Sequence, residues 1–166
     1  MRLILARHAK SSWGDPLQED FDRTLNERGR ASAVAIGQWL QSKGYMPDRI
    51  LCSAAARTQE TCNLMLGAFD PKPQVERIER LYLASPQTLL QYIKRADGDC
   101  LMVIAHNPGI AELAHMLAKS PAAHADFARY PTCATSVFEI KAPHWAELAS
   151  AQNDVIDFAV PRDLIG

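Results

Sequence analysis

Three short runs constrain this chain most: RLILA at 2–6, RILC at 49–52 and CLMVIA at 100–105, each stopping abruptly at polar or charged residues. Continuous apolar runs of this length fit strands buried on both faces, whereas a half-exposed strand alternates. Between them lie stretches with helical spacing. Asn26 is placed to cap a helix over about 27–43, with an apolar stripe of Ala31, Val34, Ala35, Ile36, Trp39 and Leu40 and Gly44 just past its end. A second helix is expected from Ala54 to about Phe69, before Pro71 and Pro73, with a short strand over 74–78 beyond them. Pro86 suits the first turn of a helix to about Ala96, and Pro108 and Gly109 open another to about Lys119. Beyond Pro131 the pattern changes to strands at about 134–140 and 154–160 with no long helix between them.

Strands alternating with helices imply a three-layer α/β/α sandwich, with a mostly parallel sheet and antiparallel strands added at one edge. At 166 residues, the chain is expected to form a single domain over 1–166. In such sheets ligands bind outside the carboxyl ends of the strands. Chemistry should therefore appear just after residues 6, 52 and 105.

It does. Arg7 and His8 come directly after the first strand, with Lys10 and Ser11 close behind. Ser53 comes after the second, with Arg57 one helical turn on, and His106 and Asn107 come after the fourth. Any one of these, taken alone, is an ordinary structural or surface residue. Together they bring two arginines and two histidines to one sheet edge. Guanidinium groups match phosphate oxygens with a planar fork of donors and stay charged at any physiological pH. Helix N-termini near 54 and 109 are expected to add backbone N–H groups for an anion. The set describes a site for a phosphoryl group, with an imidazole available as nucleophile.

Other functions are disfavoured by composition and spacing. The net charge of −1 recruits neither nucleic acid nor an anionic membrane, and no basic–aromatic stripe suggests RNA or DNA. The first apolar run is shorter than the core of a signal peptide, so a cytoplasmic location is expected. Cys52, Cys62, Cys100 and Cys133 show no CxxC spacing and sit in or beside apolar segments, as reduced, buried thiols would. His106, His115, His124 and His144 lack HxxxH or HxH spacing, so no metal site is expected. The acidic stretch from Asp15 to Asp22 reads as a solvated loop close enough to the first strand to rim a pocket.

The segments LARHAKSSW, LNERGRASA, CSAAARTQET and VIAHNPGI resemble, in order, the histidine phosphatase superfamily, the phosphoglycerate mutase-like group. The resemblance is strongest to its SixA-type phosphohistidine phosphatase branch, and the closing VPRDL is also similar to that branch. It implies that His8 is the nucleophile, that Arg7 and Arg57 bind phosphate and that His106 is the second histidine. Lys10, Ser11 and Asn107 become candidate substrate-binding residues. A cofactor-independent phosphatase acting through a phosphohistidine enzyme intermediate is implied, with a phosphohistidine-bearing signalling protein as partner.

Three departures from the family pattern matter. The RHG triplet reads Arg7-His8-Ala9, and Gly14 stands where many mutases carry a phosphate-binding Asn. Leu81-Tyr82-Leu83 stands where many relatives carry an LxE element with a glutamate acid, so a carboxylic acid is missing unless Asp15, Glu19, Asp20 or Glu79 replaces it. An alkoxide leaving group needs that proton, worth about 10²–10⁴-fold, whereas imidazole leaves more readily. These residues thus favour P–N over P–O cleavage. A broad phosphomonoesterase, a mutase and a non-catalytic phosphate-binding module are the alternatives, and the mutase lacks an obvious basic insertion for a second phosphoryl position.

Overall fold

The computed structural model describes residues 1–165. Strands β1 (Arg2–Arg7), β2 (Arg49–Ser53), β3 (Gln74–Ile78), β4 (Cys100–Ala105), β5 (Thr135–Glu139) and β6 (Asp154–Ala159) form a six-stranded sheet in the order β3-β2-β4-β1-β5-β6. The β1–β4, β2–β4 and β2–β3 pairs are parallel, and β1–β5 and β5–β6 are antiparallel. This is the expected mixed sheet with antiparallel strands at one edge.

The absence of alternation in the apolar runs now has its cause. Leu3, Leu5, Leu51, Leu101, Val103 and Phe138 face helices α3 (Pro86–Lys94) and α4 (Gly109–Leu117) in one core cluster. Ile4, Ala6, Ile50, Cys52, Met102, Ile104 and Val137 face α1 (Glu27–Ser42) and α2 (Ala56–Leu66) in the other. Odd and even positions of each central strand both meet a core, so neither can be polar.

Asn26 caps α1 as expected, its side chain accepting from Gly29 N–H at 2.8 Å. Gly29 packs against the backbone just beyond β1, where a Cβ would stand 2.0 Å from the Lys10 carbonyl oxygen. Only glycine lets the first turn of α1 press on the Lys10 peptide, which also accepts from Asn26 N–H at 3.0 Å. Gly44 takes the left-handed conformation just after α1 (φ 75).

Several boundaries moved. The second helix starts at Ala56 rather than Ala54 and ends at Leu66 rather than Phe69. Ser53 is the reason for the late start: its carbonyl accepts from Thr58 Oγ1 and Gln59 Nε2, both at 2.8 Å, closing a tight turn through Ala54 and Ala55. The third and fourth helices stop at Lys94 and Leu117, and Ala118 already pairs with Asn153 as an isolated bridge. VPRDL carries a short helix α5 (Pro161–Ile165), which periodicity could not show over so few residues. The thiols of Cys52, Cys62 and Cys133 are buried and Cys100, at the start of β4, is half-buried; all four are free. Among the described residues no helix is long and apolar enough to cross a membrane.

Candidate active site

Because β4 lies between β1 and β2, the carboxyl ends of these strands stand side by side. The backbone beyond β1 is fixed at once: Arg7 N–H donates to Ala134 O at 3.0 Å, and His8 N–H to Ala105 O at 3.1 Å. Ala9 N–H then donates to Thr61 Oγ1 at 3.0 Å, and that hydroxyl donates to Arg57 O at 2.7 Å. One threonine thus ties the histidine loop to the helix that carries Arg57. Ala9 is fully buried in the α1/α2 core cluster, where its small side chain fits.

The imidazole of His8 is oriented by its own neighbour. Nδ1 lies 2.7 Å from Ala9 O, and since a carbonyl only accepts, Nδ1 carries the proton and Nε2 presents its lone pair. Arg57 Nε approaches that nitrogen at 3.4 Å. Burial, with Arg57, Arg7 and Arg23 as further opposing charges, pushes the His8 pKa down to about 3, against a smaller upward pull from the Ala9 carbonyl. His8 is therefore neutral at physiological pH, the form a nucleophile requires.

The second imidazole, His106, sits 5.3 Å from His8 between ring centroids. Its pKa is likewise lowered to about 3, by burial first and then by the charges of His8 and Arg57. Ser53 Oγ lies 2.7 Å from His106 Nε2 and accepts from Ala55 N–H at 3.4 Å. The hydroxyl proton is then free to go to Nε2, which leaves the proton of the neutral ring on Nδ1. His106 Nδ1 and Arg7 Nε are buried and have no hydrogen-bond partner among the described residues. Two donors aimed at no protein acceptor suit an anion placed between them.

These groups line a cavity of about 270 Å³ with Lys10, Ser11, Trp13, Arg23, Leu83, Asn107 and Thr132. All seven sequence-derived candidates, Arg7, His8, Lys10, Ser11, Arg57, His106 and Asn107, therefore meet in one place. Their engagements differ. Ser11 Oγ is taken by Arg23, and Asn107 Nδ2 donates to Tyr130 O at 3.0 Å and Arg129 O at 3.3 Å. Asn107 braces a wall, with only its Oδ1 unpartnered. The expected N–H groups at the start of the second helix are spent: Ala54 N–H donates to Ile78 O and Ala55 N–H to Ser53 Oγ.

Of the four carboxylates proposed to replace the missing acid, Asp20 is held at the site. Its Oδ2 accepts from Arg57 Nη2 at 3.1 Å and from the Tyr82 hydroxyl, and its Oδ1 accepts from Arg23 Nε at 3.0 Å. Its backbone carbonyl accepts from Arg57 Nη1 at 2.8 Å. Asp15 instead folds onto Leu17 N–H, and Glu79 sits exposed in a 3₁₀ turn. Desolvation pushes the Asp20 carboxyl up, but bonds from Tyr82, Arg23 and Arg57 outweigh it and hold the pKa down at about 2. Asp20 is an anion at neutral pH and has no proton to give.

Sequence reasoning missed Arg23, Tyr82 and Thr132. Arg23 stacks 3.6 Å over Trp13 and fastens both Ser11 and Asp20. Its one signal was a lone cation closing an acidic stretch, three residues after Asp20. Among the described residues no group of three or more His, Cys, Asp or Glu is placed to hold a metal ion.

Residues 3–82 match the model of the histidine phosphatase superfamily, branch 1. An uncharacterized protein of Mycobacterium tuberculosis is 33% identical over 94% of this chain and 99% of its own. The chain belongs to the histidine phosphatase superfamily. Among solved structures, a putative phosphohistidine phosphatase SixA from Agrobacterium tumefaciens superposes with a TM-score of 0.79 at 30% identity, covering 96% of this chain and 97% of its own. The protein histidine phosphatase SixA complexed with tungstate gives 0.81 at 16% identity, with 99% of both chains covered, a likeness of fold alone. Arg7, His8 and Arg57 lie within the matched residues, and His106 lies beyond them.

Proposed function

We propose that this protein is a phosphatase that passes the phosphoryl group through His8, and that its substrate is phosphohistidine on a protein. Nε2 of His8 attacks phosphorus in line, forming an N–P bond as the P–N bond to the substrate imidazole breaks. That imidazole, protonated from solvent on its other nitrogen, leaves neutral with the bonding pair. Arg7, Arg57 and the Nδ1–H of His106 hold the equatorial oxygens as charge spreads over them. Water then attacks the phosphoryl group on His8, releasing phosphate and restoring the neutral imidazole. Arg57 must exchange its bonds to Asp20 for bonds to the phosphoryl group during this cycle.

The observation that carries the substrate class is that Leu83 stands where the family's LxE element has its glutamate. Asp20, the carboxylate held at the site, is bonded to the phosphate-binding Arg57 and to Arg23 and Tyr82, which favour its ionised form. A site without a protonated carboxyl is poorly suited to expelling an alkoxide but adequate for imidazole, which leaves once its nitrogen is protonated. The likeness to SixA proteins supports the same reading. So does the rim, where Trp13 and Leu83 line the cavity yet are 77% and 54% exposed, as apolar surface that a macromolecule can cover.

The test compares a phosphohistidine peptide with an alkyl phosphate, a phosphoserine peptide of equal length, with acid-labile phosphate on the enzyme trapped at short times. We expect kcat/KM to favour the phosphohistidine peptide by at least about a hundredfold, the size of a general-acid contribution. In His8→Ala, turnover and trapped phosphate should vanish together, with a fall of at least about a thousandfold. Preference for the alkyl phosphate would move the phosphomonoesterase reading ahead, and activity remaining in His8→Ala would end the mechanism.

A further inference from the structure

A second hollow of about 190 Å³ lies beside the catalytic cavity, with Lys10, Arg28, Arg129 and Arg162 in its walls. Lys10 and Thr132 line both, so the two adjoin across a shared wall. Asp126 is the one carboxylate in its lining, and it is buried, accepting from Arg129 Nη2 at 2.8 Å and from Arg162 Nη2. Each of these guanidinium groups spends one nitrogen on Asp126 and keeps other donors. Lys10 and Arg28 pair with no carboxylate among the described residues. Four cations against one carboxylate make this a local positive patch on a molecule whose net charge is −1.

The hollow is also mechanically joined to the site. The carbonyls of Arg129 and Tyr130, in the segment that carries its wall, accept from Asn107 Nδ2, and Tyr130 O accepts from Arg7 Nη1 at 3.2 Å. The wall of the hollow and Arg7 are thus tied to one backbone segment.

From this juxtaposition we infer that the hollow is a docking subsite for an acidic side chain neighbouring the phosphohistidine on the substrate protein. The inference rests on the phosphohistidine reading above. The positive walls select a carboxylate, and the exposed Trp13 and Leu83 at the adjoining cavity select a partner large enough to cover them. The subsite adds affinity and orientation and takes no part in bond making.

Two phosphohistidine peptides of equal length, one with Asp and Glu around the phosphohistidine and one with Ala, provide the test. The wild type should favour the acidic peptide in kcat/KM by on the order of tenfold, and high salt should erase the preference. Arg28→Glu should abolish the preference while leaving the neutral peptide's rate unchanged. Lys43→Glu, just past the other end of α1 about 22 Å away, should keep it. Equal rates on both peptides in the wild type, or equal losses on both in Arg28→Glu, would overturn the subsite and leave the phosphohistidine reading standing. Cleavage of an aryl phosphate but of neither peptide would overturn that reading, and the subsite with it. A preference for small bisphosphates that Arg28→Glu removes, without a peptide preference, would assign the hollow to a second phosphoryl group and overturn the docking role.

Discussion

The floor and the rim of the site are built by different means. Arg7, His8 and His106 stand at the ends of β1 and β4, and Arg57 in the first turn of α2; His8, Arg57 and His106 are all buried. Their backbones are tied by sheet hydrogen bonds and by the Thr61 hydroxyl. Trp13, Asp20, Arg23, Tyr82 and Leu83 come from loops and short turns, where side chains do the fastening: Arg23 to Asp20, Trp13 and Ser11, and Asp20 to Tyr82 and Arg57. The floor is therefore positioned by backbone hydrogen bonds, whereas the rim is held by side-chain contacts between loops. Asp20 crosses the boundary, since it is a rim residue that occupies the donors of a floor residue. In the proposed mechanism, phosphate recognition thus belongs to the strand ends and the first turn of α2, while access and leaving-group chemistry belong to the loops.

After the loss of His8, the largest effect is expected at Arg57. Arg57→Lys keeps the charge but loses the planar fork, so kcat/KM should fall at least about tenfold on every substrate, equivalent to about 1.4 kcal/mol of transition-state stabilisation. Steady-state kinetics on a phosphoramidate and an aryl phosphate checks this. A loss confined to one substrate would show that Arg57 belongs with the rim.

A second difference between floor and rim lies in pH. His8 and His106 are held neutral, with pKa values pushed from 6.5 to about 3, so over that window the unfolded chain binds protons that the folded protein refuses. The stability contributed by the floor is full above about 6.5 and is lost as pH falls toward 3. Asp20, lowered from 3.8 to about 2, contributes stability above 3.8 that is lost only as pH falls toward 2. Thermal unfolding measured from pH 8 to 3 should therefore show a declining Tm below about 6.5, and His106→Gln should flatten that decline by roughly half. An unchanged slope in His106→Gln would mean that the proton imbalance lies elsewhere.

The smallest effect is expected at the rim. Asp20→Asn removes a charge that competes for Arg57 but no proton donor, so phosphoramidate cleavage should change by less than about threefold. Inorganic phosphate should inhibit at lower concentration, because Arg57 is released more easily. A loss as large as that of Arg57→Lys would refute the missing-acid argument and favour the phosphomonoesterase reading.

Local sequence was enough for the parts whose position is set by the backbone. RLILA, RILC and CLMVIA read as strands buried on both faces, and the residues just beyond such strands must lie at one sheet edge. Arg7, His8, Arg57 and His106 were legible on that ground. Asn26 likewise declared the start of α1, though the need for Gly29 to clear the Lys10 carbonyl appears only in three dimensions. The strand order emerged only in the folded chain, as did the selection of Asp20 among four candidate carboxylates and the role of Arg23. The basic hollow that gathers Lys10, Arg28, Arg129 and Arg162 belongs with them. The reason is the same in each case. Strand ends are fixed by local periodicity and a general rule of sheets, whereas loop side chains from distant segments find partners only after the chain has closed on itself, and their charges acquire meaning from neighbours that no spacing records.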